Sequence, residues 1–296
     1  MIKSSCFIKL VTFTLFLGYG ATAHAASLVD GLESDHLYSD YGGANTPEQI
    51  DEIWRAISTG HFGDRTINED VSQQVVKIDV PSRAENDALV PLTITTNQPS
   101  EELTIKKVYL SVDVNPAPMA GIFTLSPNRP LEEISTRVRV NGYTYVRAVA
   151  ELSDGSLYMD KQWVKSRGAG CSAPPGMNQA EHKKRLGNIK FRVTDAELPS
   201  SPVKDVQLRI SHPNNTGMQR DQLSTLFIPQ HYVENVLVTF NDELVLEAET
   251  TFSISENPSF RFSFDQNEVG ELKAVAKDTK GNEFVASEQI NKDATL

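Results

Sequence analysis

The chain has 296 residues, 39% of them hydrophobic and 23% charged, with 17 Gly and 15 Pro. That composition excludes collagen-like, disordered and disulfide-scaffold proteins. Its 28 basic residues against 39 acidic ones give a formal net charge of -11, and no nucleic-acid partner is expected, because such binders carry a basic surface.

Lys3 and Lys9 make a positive start, Phe7 to Gly20 is mostly apolar, and Ala23-His24-Ala25 supplies a small-x-small cleavage pattern. Residues 1–25 therefore read as a secretory signal peptide, and a periplasmic, acidic protein is expected. The apolar stretch is shorter than the ~20 residues a membrane span requires, and no later window is apolar enough, so no membrane partner is expected. Removal of Cys6 leaves Cys171 as a single cysteine in an oxidising compartment, a liability unless it is buried, paired or used.

The segment Asn45 to Gly60 is the clearest helix. Thr46 caps it, Pro47 suits the first turn, Gln49 completes a capping box, Ile50, Ile53, Trp54 and Ile57 share one face, and Gly60 is the expected stop. The hydrophobic period then changes to two. Strands are expected at Val75–Val80, Leu89–Thr96, Thr104–Val114, Arg137–Val140, Tyr143–Leu152 and Leu157–Val164, with turn signals at Asn141-Gly142 and Asp154-Gly155. Residues 166–178 carry three Gly and two Pro with no apolar period, so an exposed, irregular linker is expected, followed by a short helix over Gln179–Leu186. A second strand series covers Ile189–Val193, Val203–Ser211, Val233–Phe240, Leu244–Glu247, Phe260–Phe264, Glu271–Asp278 and Phe284–Ile290. Its hairpin turns are at Asn241-Asp242 and Lys280-Gly281-Asn282. The expected fold is all-β: two immunoglobulin-like antiparallel β-sandwiches in tandem, over residues 26–165 and 188–296, joined by a cysteine-bearing arm over 166–187.

Cys171 lies in Gly168-Ala169-Gly170-Cys171-Ser172-Ala173-Pro174, downstream of Lys165 and Arg167. Only a thiolate attacks efficiently, and the two cations are expected to lower the thiol's pKa. Gly168 and Gly170 are expected to make the arm flexible and open to close approach. Cys171, Met177 and His182 are metal-compatible residues within twelve positions, but no second His lies nearby, so neither a metal nor any cofactor is expected. His212 reads as a turn histidine, with Arg209 and Arg220 as possible anion contacts; His36, His61 and His231 are scattered, Asn214-Asn215-Thr216 matches a glycosylation acceptor, and Trp54 and Trp163 read as core. There is no H-E-x-x-H pair, G-x-S-x-G elbow, glycine-rich phosphate loop or C-x-x-C, so no self-sufficient active site is expected.

The first block resembles SoxY through Val90-Pro91-Leu92-Thr93-Ile94, Val112-Asp113-Val114-Asn115-Pro116-Ala117-Pro118, Arg137-Val138-Arg139-Val140, Val146-Arg147-Ala148-Val149-Ala150 and Ser153-Asp154-Gly155. The second resembles SoxZ through Ser211-His212-Pro213, Thr216-Gly217-Met218-Gln219-Arg220, Ile228-Pro229 and Asn257-Pro258. The co-linear set is similar to SoxYZ-like fusion carriers associated with quinoprotein (PQQ-dependent) dehydrogenases. The resemblance implies a non-enzymatic carrier, with Cys171 as the attachment point for a covalent thio-adduct. It also implies partner oxidoreductases: sulfur-oxidation enzymes, or a PQQ-dependent dehydrogenase with cytochrome c. The family's separate carrier subunit ends in Gly-Gly-Cys-Gly-Gly, whereas here Gly-Ala-Gly-Cys runs on into Ser-Ala-Pro-Pro, an internal arm tethered at both ends.

Overall fold

A computed structural model describes residues 45–100, 102–176, 179–195, 203–265 and 269–290. The signal-peptide segment and Met177 lie outside the described residues. Helix α1 spans Pro47–Phe62, with Thr46 at its N-cap and the capping box to Gln49 formed. It buries Ile50, Trp54 and Ile57 as the spacing dictates, but runs through Gly60 and stops at Gly63, whose φ of 61° closes the last turn.

The first half supplies β1 (Ile67–Glu69), β2 (Val76–Asp79), β3 (Val90–Thr96), β4 (Ile105–Val112), β5 (Met119–Leu125), β6 (Glu133–Val138), β7 (Thr144–Leu152) and β8 (Leu157–Val164). After α2 (Gln179–Arg185), the second supplies β9 (Ile189–Asp195), β10 (Val203–Ile210), β11 (Val233–Phe240), β12 (Glu243–Thr250), β13 (Ser259–Asp265), β14 (Gly270–Asp278) and β15 (Glu283–Ile290). The Asn241-Asp242 turn joins β11 to β12 with both residues at positive φ, as a two-residue hairpin of this hand requires. Asn141-Gly142, by contrast, closes no hairpin, because β6 and β7 belong to different sheets.

The two immunoglobulin-like halves share both of their sheets. One has nine strands in the order β1-β8-β7-β4-β5-β12-β11-β14-β15, and the other six, β2-β3-β6-β13-β10-β9. The seams are antiparallel: Phe123 of β5 sits opposite Ala248 of β12, and Ile134 of β6 opposite Phe262 of β13. Each seam covers two strand edges that a free-standing sandwich would expose to stray pairing. Side chains from both halves form one buried cluster, with Phe123 and Phe260 packed edge-to-face at 6.2 Å across the layers. Strand β5 escaped the sequence reading because both its faces are covered, so it shows no alternation: Phe123 points into the shared core, and Met119 packs on the other face beneath α1.

Helix α1 covers the outer face of the nine-stranded sheet, where Trp54, Ile57 and Phe62 meet Val149, Leu157 and Met159. An ion cluster pins it there. Arg147 of β7, 1% exposed, donates from Nε to Asp113 at 2.6 Å and from Nη2 to Asp51 of the helix at 2.7 Å. Its guanidinium lies over Trp54 at 4.7 Å and over Tyr145 at 4.8 Å. Trp163 is only half-buried and packs edge-on against Tyr145, so of the two expected core tryptophans only Trp54 is one. Among the described residues no helix is long and apolar enough to cross a membrane.

Candidate functional site

The segment after β8 is not the exposed arm that its Gly and Pro content suggests. Cys171 is fully buried, while Arg167, Ala169, Ser172 and Pro174 around it are exposed. The loop lies flat on the body with its one thiol turned inward. Backbone packing makes this possible. A Cβ on Gly170 would collide with the carbonyl oxygens of Asp87 and Val140, and Gly168 takes φ 87°, in the left-handed region. In this structure the two glycines, expected from sequence to make the arm flexible, serve close approach and a left-handed bend. Gly170→Ala is expected to cost about 1–3 kcal/mol by overpacking and to lift the loop, read as a lower denaturation midpoint with faster thiol labelling. A variant as stable and as slowly labelled as the parent would contradict the tight packing.

Both halves hold the loop down. From the first, Asn141 Oδ1 accepts from the Cys171 amide at 3.4 Å, and Asp87 Oδ1 accepts from the Arg167 amide at 3.3 Å. From the second, Thr216 Oγ1 donates to the Cys171 carbonyl at 2.6 Å, and Gln219 Nε2 to the Ala173 carbonyl at 3.0 Å. Further along, Glu256 accepts from the Gly176 amide at 2.8 Å. A tight turn closes the loop, the Ala173 amide donating to the Ala169 carbonyl at 2.7 Å.

The cation that acts on the thiol is Arg139. Only 2% exposed, it donates to the Gly170 carbonyl at 3.1 Å and to the Asn214 carbonyl at 3.2 Å, tying the cysteine loop to the second half. Among the described residues it donates to backbone carbonyls only, with the Glu256 carboxylate acting on it by charge, and its Nε has no hydrogen-bond partner. Burial pushes the Cys171 thiol up to about 12, a shift that the Arg139 charge only partly opposes. Lys165 and Arg167, the expected thiolate stabilisers, are exposed, and neither contributes to that shift. Sequence reasoning missed Arg139 because Arg137-Val138-Arg139-Val140 reads as a strand with arginines facing solvent. The solvent side of Arg139 is covered by residues more than seventy positions later.

In this conformation Cys171 is therefore a neutral, enclosed thiol. A thiol in water would have an ordinary pKa of about 8.5. Of the residues considered as metal-compatible in sequence, His182 is buried 5% exposed on α2, facing Glu256 at 3.9 Å rather than Cys171. His212 is no surface turn residue: it is completely buried beside His231. Asn215, 4% exposed, is paired by backbone bonds to His231, and Asn214 is completely buried, so the glycosylation triplet offers no accessible acceptor.

These features define a tandem immunoglobulin-like β-sandwich protein with one masked thiol where its two halves meet. Residues 59–171 match the family model described as "Sulfur oxidation protein SoxY", and residues 180–289 match "Sulphur oxidation protein SoxZ". The chain belongs to the SoxYZ family, carrying a SoxY domain followed by a SoxZ domain. These domains imply a carrier role in sulfur oxidation.

A search of curated proteins finds no match to the chain. Among solved structures, a superoxide reductase (neelaredoxin) from Ignicoccus hospitalis is similar at 14% identity over 42% of this chain and 94% of that one, with a TM-score of 0.28. A beta-glycosidase from Bacteroides vulgatus is similar at 11% identity over 73% of this chain and 24% of that one, with a TM-score of 0.23. Likenesses this low bear on neither fold nor activity.

Proposed function

We propose that the protein is a periplasmic sulfur-compound carrier that keeps its attachment cysteine stowed at rest and exposes it when a partner oxidoreductase lifts the loop. The Cys171 thiol then loses its proton and forms a sulfur–sulfur bond to a reduced sulfur compound, the partner oxidoreductase accepting the two electrons this releases. The observation that carries this reading is the buried Cys171 thiol at the C-terminal limit of the SoxY match, with the buried Arg139 guanidinium bonded to the carbonyl of the adjoining Gly170. A buried cation bonded to carbonyls rather than a carboxylate is costly for stability alone, and it supplies the counter-charge that a thiolate forming at the mouth of the loop requires. Because the SoxZ-side residues Thr216 and Gln219 hold the loop, a partner that grips this half gains a direct means of opening it.

The test is the protein isolated from its native host. Intact-mass analysis is expected to show reductant-removable adducts on Cys171, and Cys171→Ser is expected to abolish partner-dependent oxidation of the sulfur substrate. Unchanged oxidation with Cys171→Ser would exclude covalent carriage.

The burial of Cys171 itself favours a second reading: a non-covalent accessory subunit, for example of a PQQ-dependent dehydrogenase with its cytochrome c. In that case Cys171→Ser leaves both partner capture and turnover unchanged.

A further inference from the structure

Away from the cysteine loop, three side chains from separate parts of the SoxZ half converge. His212 follows β10, His231 precedes β11, and Asp278 ends β14; all three are buried. The two imidazole Nε2 atoms lie 3.3 Å apart. Asp278 Oδ2 is 2.8 Å from His231 Nε2 and 3.5 Å from His212 Nε2. An ion bound at about 2.0–2.1 Å by nitrogen and oxygen places neighbouring donors about 2.9 Å apart at right angles and about 3.4 Å apart at tetrahedral angles. The observed sides of 2.8, 3.3 and 3.5 Å span that range, the shortest and longest lying just outside it.

We propose that His212, His231 and Asp278 form a binding site for one divalent first-row transition-metal ion of the zinc or iron(II) type. This goes beyond the carrier reading and stands independently of it. Two imidazoles and one carboxylate on one face suit such ions, and they leave further coordination positions open.

The surroundings are arranged as metal ligands require. His212 Nδ1 lies 2.9 Å from Asn214 Oδ1, and with its proton on that nitrogen the ring turns a bare Nε2 toward the cluster. The Asn214 amide, 3.1 Å from the same Nδ1, donates to it in the other tautomer, so binding an ion through Nε2 exchanges that bond for the one to Oδ1. His231 is held by reciprocal backbone bonds with Asn215 at 2.7 and 3.0 Å. Asp278 Oδ1 accepts from the amides of Lys280 and Asn282 at 2.9 and 3.0 Å, and Oδ2 from Asn282 Nδ2 at 2.8 Å.

Entry is available. His231 and Asn282 line a cleft of about 210 Å³, together with Pro213, Ile228 and His182. His182, 5% exposed, contributes an Nε2 with no hydrogen-bond partner among the described residues, a ready outer contact for a water carried by the ion.

The test uses the full chain stripped with chelator and titrated with Co2+ as a visible probe, and separately with Zn2+. One equivalent of Co2+ is expected to bind with ligand-field absorption in the visible, and Zn2+ is expected to displace it. His231→Gln and Asp278→Asn, checked for folding by near-ultraviolet circular dichroism, are expected to lose at least tenfold in affinity, and Cys171→Ser none. X-ray absorption of the Zn2+-loaded parent, which needs no variant to fold, is expected to show two imidazoles and oxygen with no sulfur. Absence of stoichiometric binding, sulfur in the metal's shell, or unchanged affinity in a folded His231→Gln protein would overturn the site. None of these results depends on whether Cys171 carries cargo.

Discussion

Iodoacetamide is expected to alkylate Cys171 in the folded protein on the order of 10³-fold more slowly than in urea at pH 8, because a thiol held at about 12 has few thiolates where an ordinary one near 8.5 has many. The pH profile carries the sharper signature. In urea the rate levels off near the ordinary pKa; in the native protein it keeps rising about tenfold per pH unit through that range, since every reactive event first requires the loop to lift. Thr216→Val and Gln219→Leu each remove one anchor worth ~1 kcal/mol and are expected to speed native labelling roughly fivefold. Stability is linked to the same group. Its folded pKa of about 12 exceeds the ordinary value near 8.5, so the contribution is fully present below that value and is lost as pH rises toward 12. The full loss is on the order of 4 kcal/mol, and Cys171→Ser is expected to flatten the alkaline limb of a stability–pH curve. Native labelling at the unfolded rate, or a native profile that bends near pH 8.5, would show that the thiol is open at rest.

The largest stability effect is expected at Arg147. Arg147→Ala removes the partner of Asp113, which is 1% exposed and keeps only a 2.8 Å bond from Ser111, and it frees Asp51 of α1. Leaving a buried carboxylate unpaired costs about 3–5 kcal/mol, or roughly 10 °C in melting temperature for a body of this size. The loss is expected to shrink in mild acid, because burial already pushes Asp113 up to about 6 and without the guanidinium it protonates sooner. Arg147→Lys does not restore the parent's stability, since one ammonium cannot reach both carboxylates and lie over both rings. Arg147→Ala combined with Asp113→Leu is expected to recover much of the loss. A drop below about 1 kcal/mol for Arg147→Ala would mean that the cluster contributes little to stability.

What the chain reveals locally, it reveals well. The capping box at Thr46 and Gln49, the alternation through Leu157–Val164 and Val233–Phe240, and the Asn241-Asp242 hairpin depend on residues within a few positions of each other, and all formed where the pattern places them. The likeness to SoxY and SoxZ was legible for a related reason: short motifs keep their order along the chain whatever their spatial partners.

Burial and convergence were not legible, because both are set by pairs far apart in sequence. Composition marked residues 166–178 as exposed, yet a surface loop needs only one inward side chain and a glycine thin enough to lie on Asp87 and Val140 to hide a thiol. Arg139 reads as a strand arginine until Asn214 and the cysteine loop close over it. His212, His231 and Asp278 are unremarkable apart from one another, and only the ends of β10 and β14 and the start of β11 bring them within reach. The sequence alone determined most of the strands, several of their turns and the family. The tertiary structure decided which charges and which sulfur lose their water, because desolvation depends on the surrounding atoms and those come from the whole chain.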